Sequence, residues 1–192
     1  MLCAKCRKNS AESSLRHLGS LCSFCFCALI EKRVRKDVRI NRIFRKNDKI
    51  LVVGDLCCYL VKSIIRNLPV KITKTDRIKK LRGYKTVAPS TLDDEINHFL
   101  ESIFLNKKIK LLNSKNSKGL DDSKNFQKES SCIKLLKSIT DEEAILFAKF
   151  KGIAFKPNRK NKEVQEMLDR LSEKYPGIKF GLLKSLDQLK NE

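Results

Sequence analysis

Apolar residues recur four apart between Phe26 and Phe44, with Ile30, Val34 and Val38 on one line and Ile40 and Ile43 nearby. Lys32, Arg33, Arg35, Lys36, Arg39 and Arg42 fill the other faces, so the pattern predicts one amphipathic, strongly basic helix. KILVV at 49–53 follows as a short, nearly uniform apolar run, the signature of a strand buried in a parallel sheet. Gly54-Asp55 closes it, and Leu60, Val61, Ile64, Ile65 and Leu68 continue at helical spacing. Residues 70–73 (VKIT) and 84–88 (YKTVA) read as two further strands. The second leads into a helix opened by Ser90 or Thr91, with Leu92, Ile96, Phe99, Leu100 and Ile103 on one face. The order βαβαβα predicts a small α/β fold with a parallel sheet.

Residues 113–131 are polar, rich in Ser and Asn and without periodicity, so little burial offsets the entropy of ordering them. They read as a disordered linker. Order resumes at Cys132, and Thr140-Asp-Glu-Glu143 is a capping box that starts a helix at Asp141. That helix carries Ile145, Leu146, Phe147 and Phe150 and ends at Gly152, after which residues 153–155 (IAF) offer another strand. Glu163–Lys174 is a further helix, stopped by Pro176-Gly177. The expected organisation is a cysteine-rich module at 1–27, a basic linker helix at 28–47, an α/β core at 48–112, the linker at 113–131, and a C-terminal helical part of the core at 132–192.

Charge narrows the partner class. Against 22 acidic residues stand 42 Lys and Arg, a formal net charge of +20, which favours a polyanion and nucleic acid first. No apolar run approaches the roughly 20 residues of a membrane span, and MLCAKCRKNS lacks the order of a signal peptide. The expectation is a soluble, cytoplasmic chain with no membrane contact. Segment 1–27 is too poor in large aliphatics to bury a core of its own, so its five cysteines are read as metal ligands rather than disulfides.

Cys3-x2-Cys6, fifteen residues, then Cys22-x2-Cys25 offers four soft thiolates for tetrahedral Zn²⁺, as in a zinc ribbon. Cys27 stands as an alternative to Cys25 for the fourth ligand. Eight Lys or Arg between Lys32 and Lys46, opposed by Glu31 and Asp37, exceed what solubility requires and suit contact with an RNA backbone. Gly54 and Asp55 stand where a doubly wound fold places a nucleotide. The turn GDLCCY has one glycine and bulky neighbours, a poor phosphate cradle, so ATP is not expected. Cys57 and Cys58 read as small buried apolar residues, Asp93-Asp94-Glu95 as helix-start acids, and neither His17 nor His98 is assigned a catalytic role.

Several blocks stand in a fixed order. They are the CxxC…CxxC pair, EKRVR (Glu31–Arg35) before KILVV, APSTLDDEIN (Ala88–Asn97), ITDEEAILFAKFKGI (Ile139–Ile153) and LSEKYPGIKFGLLKS (Leu171–Ser185). In this order they resemble the tRNA 2-thiolation proteins of the TtuA, NcsA and cytosolic thiouridylase superfamily, members of the PP-loop ATP pyrophosphatases. The resemblance implies a shortened Rossmann-like fold of the adenine nucleotide alpha hydrolase type, with an N-terminal zinc ribbon. It also implies a role in making thiouridine at the wobble position.

The chain departs from that family at its chemistry. GDLCCY replaces the family's SGGKDS, and Ser90 and Thr91 replace a His-Asn pair. The stretch from Leu68 to Tyr84 is much shorter and lacks a Cys-x-x-Cys, and Lys156-Pro157-Asn158 stands where a CPY-like cysteine is usual. These losses imply a catalytically degenerate relative, a pseudoenzyme without an iron–sulfur cluster. It would bind tRNA through Lys32, Arg33, Arg35, Lys36, Arg39 and Arg42, beside an active full-length thiolase subunit or a ubiquitin-like sulfur carrier. Two alternatives stand beside this reading. One is an active ATP-dependent sulfurtransferase using Cys57, Cys58 or Cys132, and the other is a zinc-stabilised subunit whose basic face meets an acidic protein.

Overall fold

The computed structural model describes residues 1–79, 81–104 and 132–189, so the expected linker at 113–131 lies outside the described residues. The cysteine-rich segment forms a hairpin, β1 (Ser13–Leu15) antiparallel to β2 (Gly19–Leu21), closed at its tip by Gly19 in a left-handed conformation (φ 73°). Helix α1 follows at Ser23–Ile40, capped by the Cys22 sulfur and by Glu12, whose carboxylate accepts hydrogen bonds from the amide and hydroxyl of Ser23. Its buried line is Phe26, Cys27, Ile30, Val34 and Val38, while Ile40 is exposed. The four-residue spacing therefore predicts the helix and its inner face but runs four residues too far.

β3 (Lys49–Val53), α2 (Asp55–Ile64), β4 (Lys71–Thr75), β5 (Tyr84–Thr91), α3 (Leu92–Phe104) and β6 (Cys132–Leu136) make a four-stranded, fully parallel sheet in the order β4-β3-β5-β6. Along β3, Ile50 and Val52 enter the main core while Leu51 and Val53 are buried on the other side, as a strand with both faces covered requires. Two expectations change here. The link from β4 to β5, residues 76–83, is too short for a crossover helix, and its described residues form none, so the unit is βαββα rather than a strict alternation. Segment 132–192 opens with a sheet strand, β6, and is not purely helical.

α4 (Asp141–Lys151) starts at the predicted capping box, in which the Thr140 hydroxyl accepts from the Glu143 amide and the Glu143 carboxylate accepts from the Thr140 amide. It ends at Gly152 in a left-handed cap (φ 63°). Residues 153–155 add no strand; Ile153 and Phe155 instead pack at the rim of the core. α5 (Lys162–Lys174) and α6 (Ile178–Leu189) close the chain. Helices α1, α2 and α4 share the main core with the sheet, and Val164, Leu168, Leu92 and Ile96 form a second, smaller cluster under α3, α5 and α6. Among the described residues no helix is long and apolar enough to cross a membrane.

One carboxylate joins these parts. Glu143 has no solvent exposure, and besides the Thr140 amide it accepts from His17 Nε2 (2.9 Å) on the hairpin loop and from Arg33 Nη1 (2.8 and 2.9 Å) on α1. Phe180 of α6 lies against both partners, its ring centroid 5.3 Å from that of His17 and 5.4 Å from the Arg33 guanidinium carbon. Burial alone would raise the Glu143 pKa, but the His17 hydrogen bond, the Arg33 charge and the Thr140 amide outweigh it and hold the group below the usual glutamate value.

Because the folded pKa is depressed, this carboxylate stabilises the fold fully above the ordinary glutamate range and loses that effect as pH falls through the lowered value. Glu143→Gln is therefore expected to cost about 2–3 kcal/mol at neutral pH in a denaturant titration. The difference from the unmodified chain should shrink on acidification. A difference that stays constant down to strongly acid pH contradicts an ionic latch.

Candidate metal centre and basic face

The sulfurs of Cys3, Cys6, Cys22 and Cys25 converge, all within 4.8 Å of one another. Three local devices bring them there. The turn after Cys3 folds back on itself, with the Arg7 amide donating to the Cys3 carbonyl (2.9 Å). The Cys3 amide donates to the Asn9 carbonyl and the Ala4 amide to the Ser20 carbonyl, which fixes the first CxxC against the hairpin. Cys22 follows β2 directly and caps α1, so Cys25 lies one helical turn on with its amide donating to the Cys22 sulfur (3.5 Å). Cys27 is buried on α1 and stands outside the cluster, so the geometry groups Cys25 with the other three.

Backbone amides, that of Cys6 first, lower the Cys3 thiol to about 6, whereas burial followed by the neighbouring Cys22 sulfur pushes Cys25 up to about 12. Four sulfurs this close cannot all ionise without a cation among them. The Cys6–Cys22 sulfur separation of 3.9 Å matches a tetrahedron with metal–sulfur bonds of about 2.3 Å, whose edge is about 3.8 Å. The tetrad can hold a metal such as zinc. A cuboidal cluster binds each thiolate to a different iron and needs a wider set.

The second candidate position is the turn between β3 and α2. Gly54 has φ 79°, a conformation natural to glycine, and its amide donates to the Thr75 carbonyl. Asp55 pairs with Lys74, while Leu56, Cys57 and Cys58 point into the core. Burial raises the Cys57 thiol to about 12, in keeping with a side chain packed in the core.

The acidic run at the end of β5 is also committed internally. Asp93 accepts from the Asp141 amide (2.7 Å) and Lys179 (2.6 Å); Asp94 accepts from the Thr91 amide (2.9 Å), Asn158 (2.8 Å) and Lys160 (2.8 Å). Lys160, whose side chain is 8% exposed, bridges Asp94 and Asp141. Burial would lower its pKa, yet the two carboxylates raise it. Asp141 is raised by burial against the pull of Lys160.

The six predicted basic residues separate into three groups. Arg33 turns inward to Glu143. Arg35, Arg39 and Arg42 line a groove between α1 and α2, together with Arg45 and Arg66. Lys32 and Lys36 are exposed on α1 outside that groove. Arg66 was not singled out by sequence reasoning, because nothing in the local pattern around it announces the groove. His17 and Glu143 escaped too: the capping box shows in sequence, but a partner 126 residues away does not.

The molecule is thus an α/β protein with a doubly wound parallel sheet and an N-terminal four-cysteine module. No family model and no curated protein matches the chain. Its structure does match that of the U34-tRNA thiolase NcsA from Methanococcus maripaludis with its [4Fe-4S] cluster, with a TM-score of 0.71 and 16% identity, covering 100% of this chain and 88% of that one. The shared fold is the one that the sequence resemblance implies. The expected absence of an iron–sulfur cluster finds no support in this comparison, since the neighbour carries one.

Metal analysis of the purified chain checks the centre. One zinc per chain is expected, lost with Ser at Cys3, Cys6, Cys22 or Cys25 and retained in Cys27→Ser. Four irons with acid-labile sulfide would replace the mononuclear assignment with a cluster.

Proposed function

We propose that this chain is a zinc-containing, tRNA-binding subunit of a tRNA 2-thiolation system that does not itself adenylate its RNA. The observation that carries the reading is the turn after β3, set within the fold shared with NcsA. Where a triphosphate would be cradled, one glycine is followed by the carboxylate of Asp55, ion-paired to Lys74, and by three buried side chains. Asp55 and Lys74 satisfy each other at that place, and residues 54–58 offer no lysine or hydroxyl side chain to receive a phosphate.

RNA recognition is assigned to α1, with Arg35, Arg39 and Arg42 on one side and Lys32 and Lys36 on another. Arg33 is left out of the set because Glu143 holds it. Zinc would pin the hairpin at the amino end of α1 and so fix the direction of this helix. The metal supplies stability to the module. The sulfur would come from a partner, an active full-length thiolase subunit or a ubiquitin-like sulfur carrier.

A second reading has one observation in its favour, the [4Fe-4S] cluster of the neighbour. It makes this chain an active sulfurtransferase with an unconventional nucleotide site. Calorimetry with Mg-ATP separates the two: the proposed subunit gives no binding heat, and a clear heat abolished by Asp55→Ala favours the enzyme.

Filter binding of bulk tRNA tests the RNA half. Micromolar or tighter binding at 150 mM salt is expected, with log K falling against log salt at a slope of about −3 to −5 for four to six neutralised phosphates. Weaker binding without a salt slope removes it.

A further inference from the structure

The groove between α1 and α2 has a composition that general basicity does not account for. It encloses about 910 Å³ at the amino-terminal edge of the sheet, where the exit of α1 and the exit of α2 turn into β3 and β4. The two exits are tied together by the Asn47 amide donating to the Pro69 carbonyl (2.8 Å) and the Lys71 amide donating to the Asp48 carbonyl (3.0 Å). The Gly54 turn lies at the other end of β3.

Five of the lining residues are arginines, Arg35, Arg39, Arg42, Arg45 and Arg66, and none is a lysine. The chain as a whole has 30 lysines and only 12 arginines, so a passive basic surface would be built mostly from lysine. Among the described residues none of the five is within ion-pair distance of a carboxylate, and Glu31, the acid at the rim, is taken by Lys151 (3.0 Å). Arg42 adds a backbone signature. It sits in the left-handed region (φ 46°) just past the end of α1, where the Ile43 amide closes onto the Val38 carbonyl. Glycine or asparagine is usual at that position, and a long cation there carries strain that helix termination alone does not require.

Guanidinium and ammonium groups differ in what they recognise. A guanidinium grips phosphate with two parallel N–H donors and stacks on planar rings, whereas an ammonium acts as a point charge. Arg35 and Arg39 follow one line of α1 about 6 Å apart along its axis, comparable with the spacing of successive phosphates in an extended strand, and Arg42 stands just past the helix end. Below them the floor is apolar: Val38, Phe44, Ile64 and Leu68. A duplex keeps its bases inside and presents only backbone, but a looped or single-stranded segment can lay an unstacked base on such a floor.

We infer that this groove grips a single-stranded or looped RNA segment, with phosphates on the five arginines and one unstacked base against Phe44. The inference rests on the tRNA-binding reading above and names the surface that performs it.

The zinc-loaded full chain is titrated by fluorescence anisotropy with three labelled probes: a 12-nucleotide single-stranded RNA, a blunt duplex of the same length, and a polyglutamate peptide. The single strand should bind at least fivefold more tightly than the duplex. Replacing Arg39, Arg42 and Arg66 together by Lys keeps the net charge, yet should weaken the single strand about tenfold with the salt slope nearly unchanged. Phe44→Leu keeps the floor apolar, removes the ring, and should cost the single strand severalfold while leaving the duplex unaffected. Reversing Arg170 and Lys184, exposed on α5 and α6, is the control for bulk charge and should cost less than reversing Arg39 and Arg66. Zinc content and thermal unfolding are read on each variant.

If every probe RNA fails to bind the unmodified chain, the tRNA-binding reading falls and this inference with it. If RNA binds tightly but the lysine triple variant and Phe44→Leu bind equally well, the groove assignment alone is overturned. Polyglutamate that binds more tightly than RNA and displaces it would make the groove a protein-docking surface and overturn the inference.

Discussion

A buried carboxylate in a chain of such positive charge is the constraint from which the arrangement of parts follows. Glu143 caps its own helix and at the same time receives His17 from the cysteine-rich hairpin and Arg33 from α1. Either partner alone would leave part of the desolvation cost of this buried carboxylate uncompensated. Together they neutralise a group with no access to water, and removing any of them leaves charge or donors unmatched in the interior. The hairpin, α1, α4 and, through Phe180, α6 are fixed relative to the sheet by that one requirement.

This latch explains the division of labour along α1. Its inner stripe fills the core and Arg33 closes on Glu143, which leaves the direction of the remaining cations determined by helix geometry. Arg35 and Arg39 then face α2 across the groove, and the left-handed Arg42 continues the line past the helix end. Arginines gather at the amino edge of the sheet, and the Asp55–Lys74 pair stands at its carboxyl edge. At the carboxyl edge Asp93, Asp94 and Asp141 are satisfied by Thr91, Lys160 and Lys179, so the motif that opens α3 is held in internal ion pairs.

Much of this was legible beforehand wherever the signal is local. The KILVV run, the stripe on α1, the Thr140–Glu143 capping box and the CxxC pairs each depend on residues within a few positions, and each reappears in the structure. What the sequence hid is long-range or a matter of chain length. α6 has apolar residues on several faces, so its periodicity is weak. β6 is only five residues, preceded by a polar stretch that gives no turn signal. Among the described residues no helix joins β4 to β5, because the eight-residue link is too short for one, a constraint that matters only once both strands are known to lie parallel on either side of β3. The assembly of Arg45 and Arg66 beside α1 depends on α2 folding back along the sheet.

The central claim is that the chain grips RNA at the amino edge of its sheet and has no working triphosphate site at the carboxyl edge. Amide hydrogen exchange of the zinc-loaded chain, alone and with tRNA or Mg-ATP, reads both edges in one measurement. The account predicts that tRNA slows exchange across residues 35–47 and 63–68, and that Mg-ATP leaves residues 54–58 unchanged. Protection of 54–58 by Mg-ATP, with no effect of tRNA on the α1 and α2 exits, would contradict it.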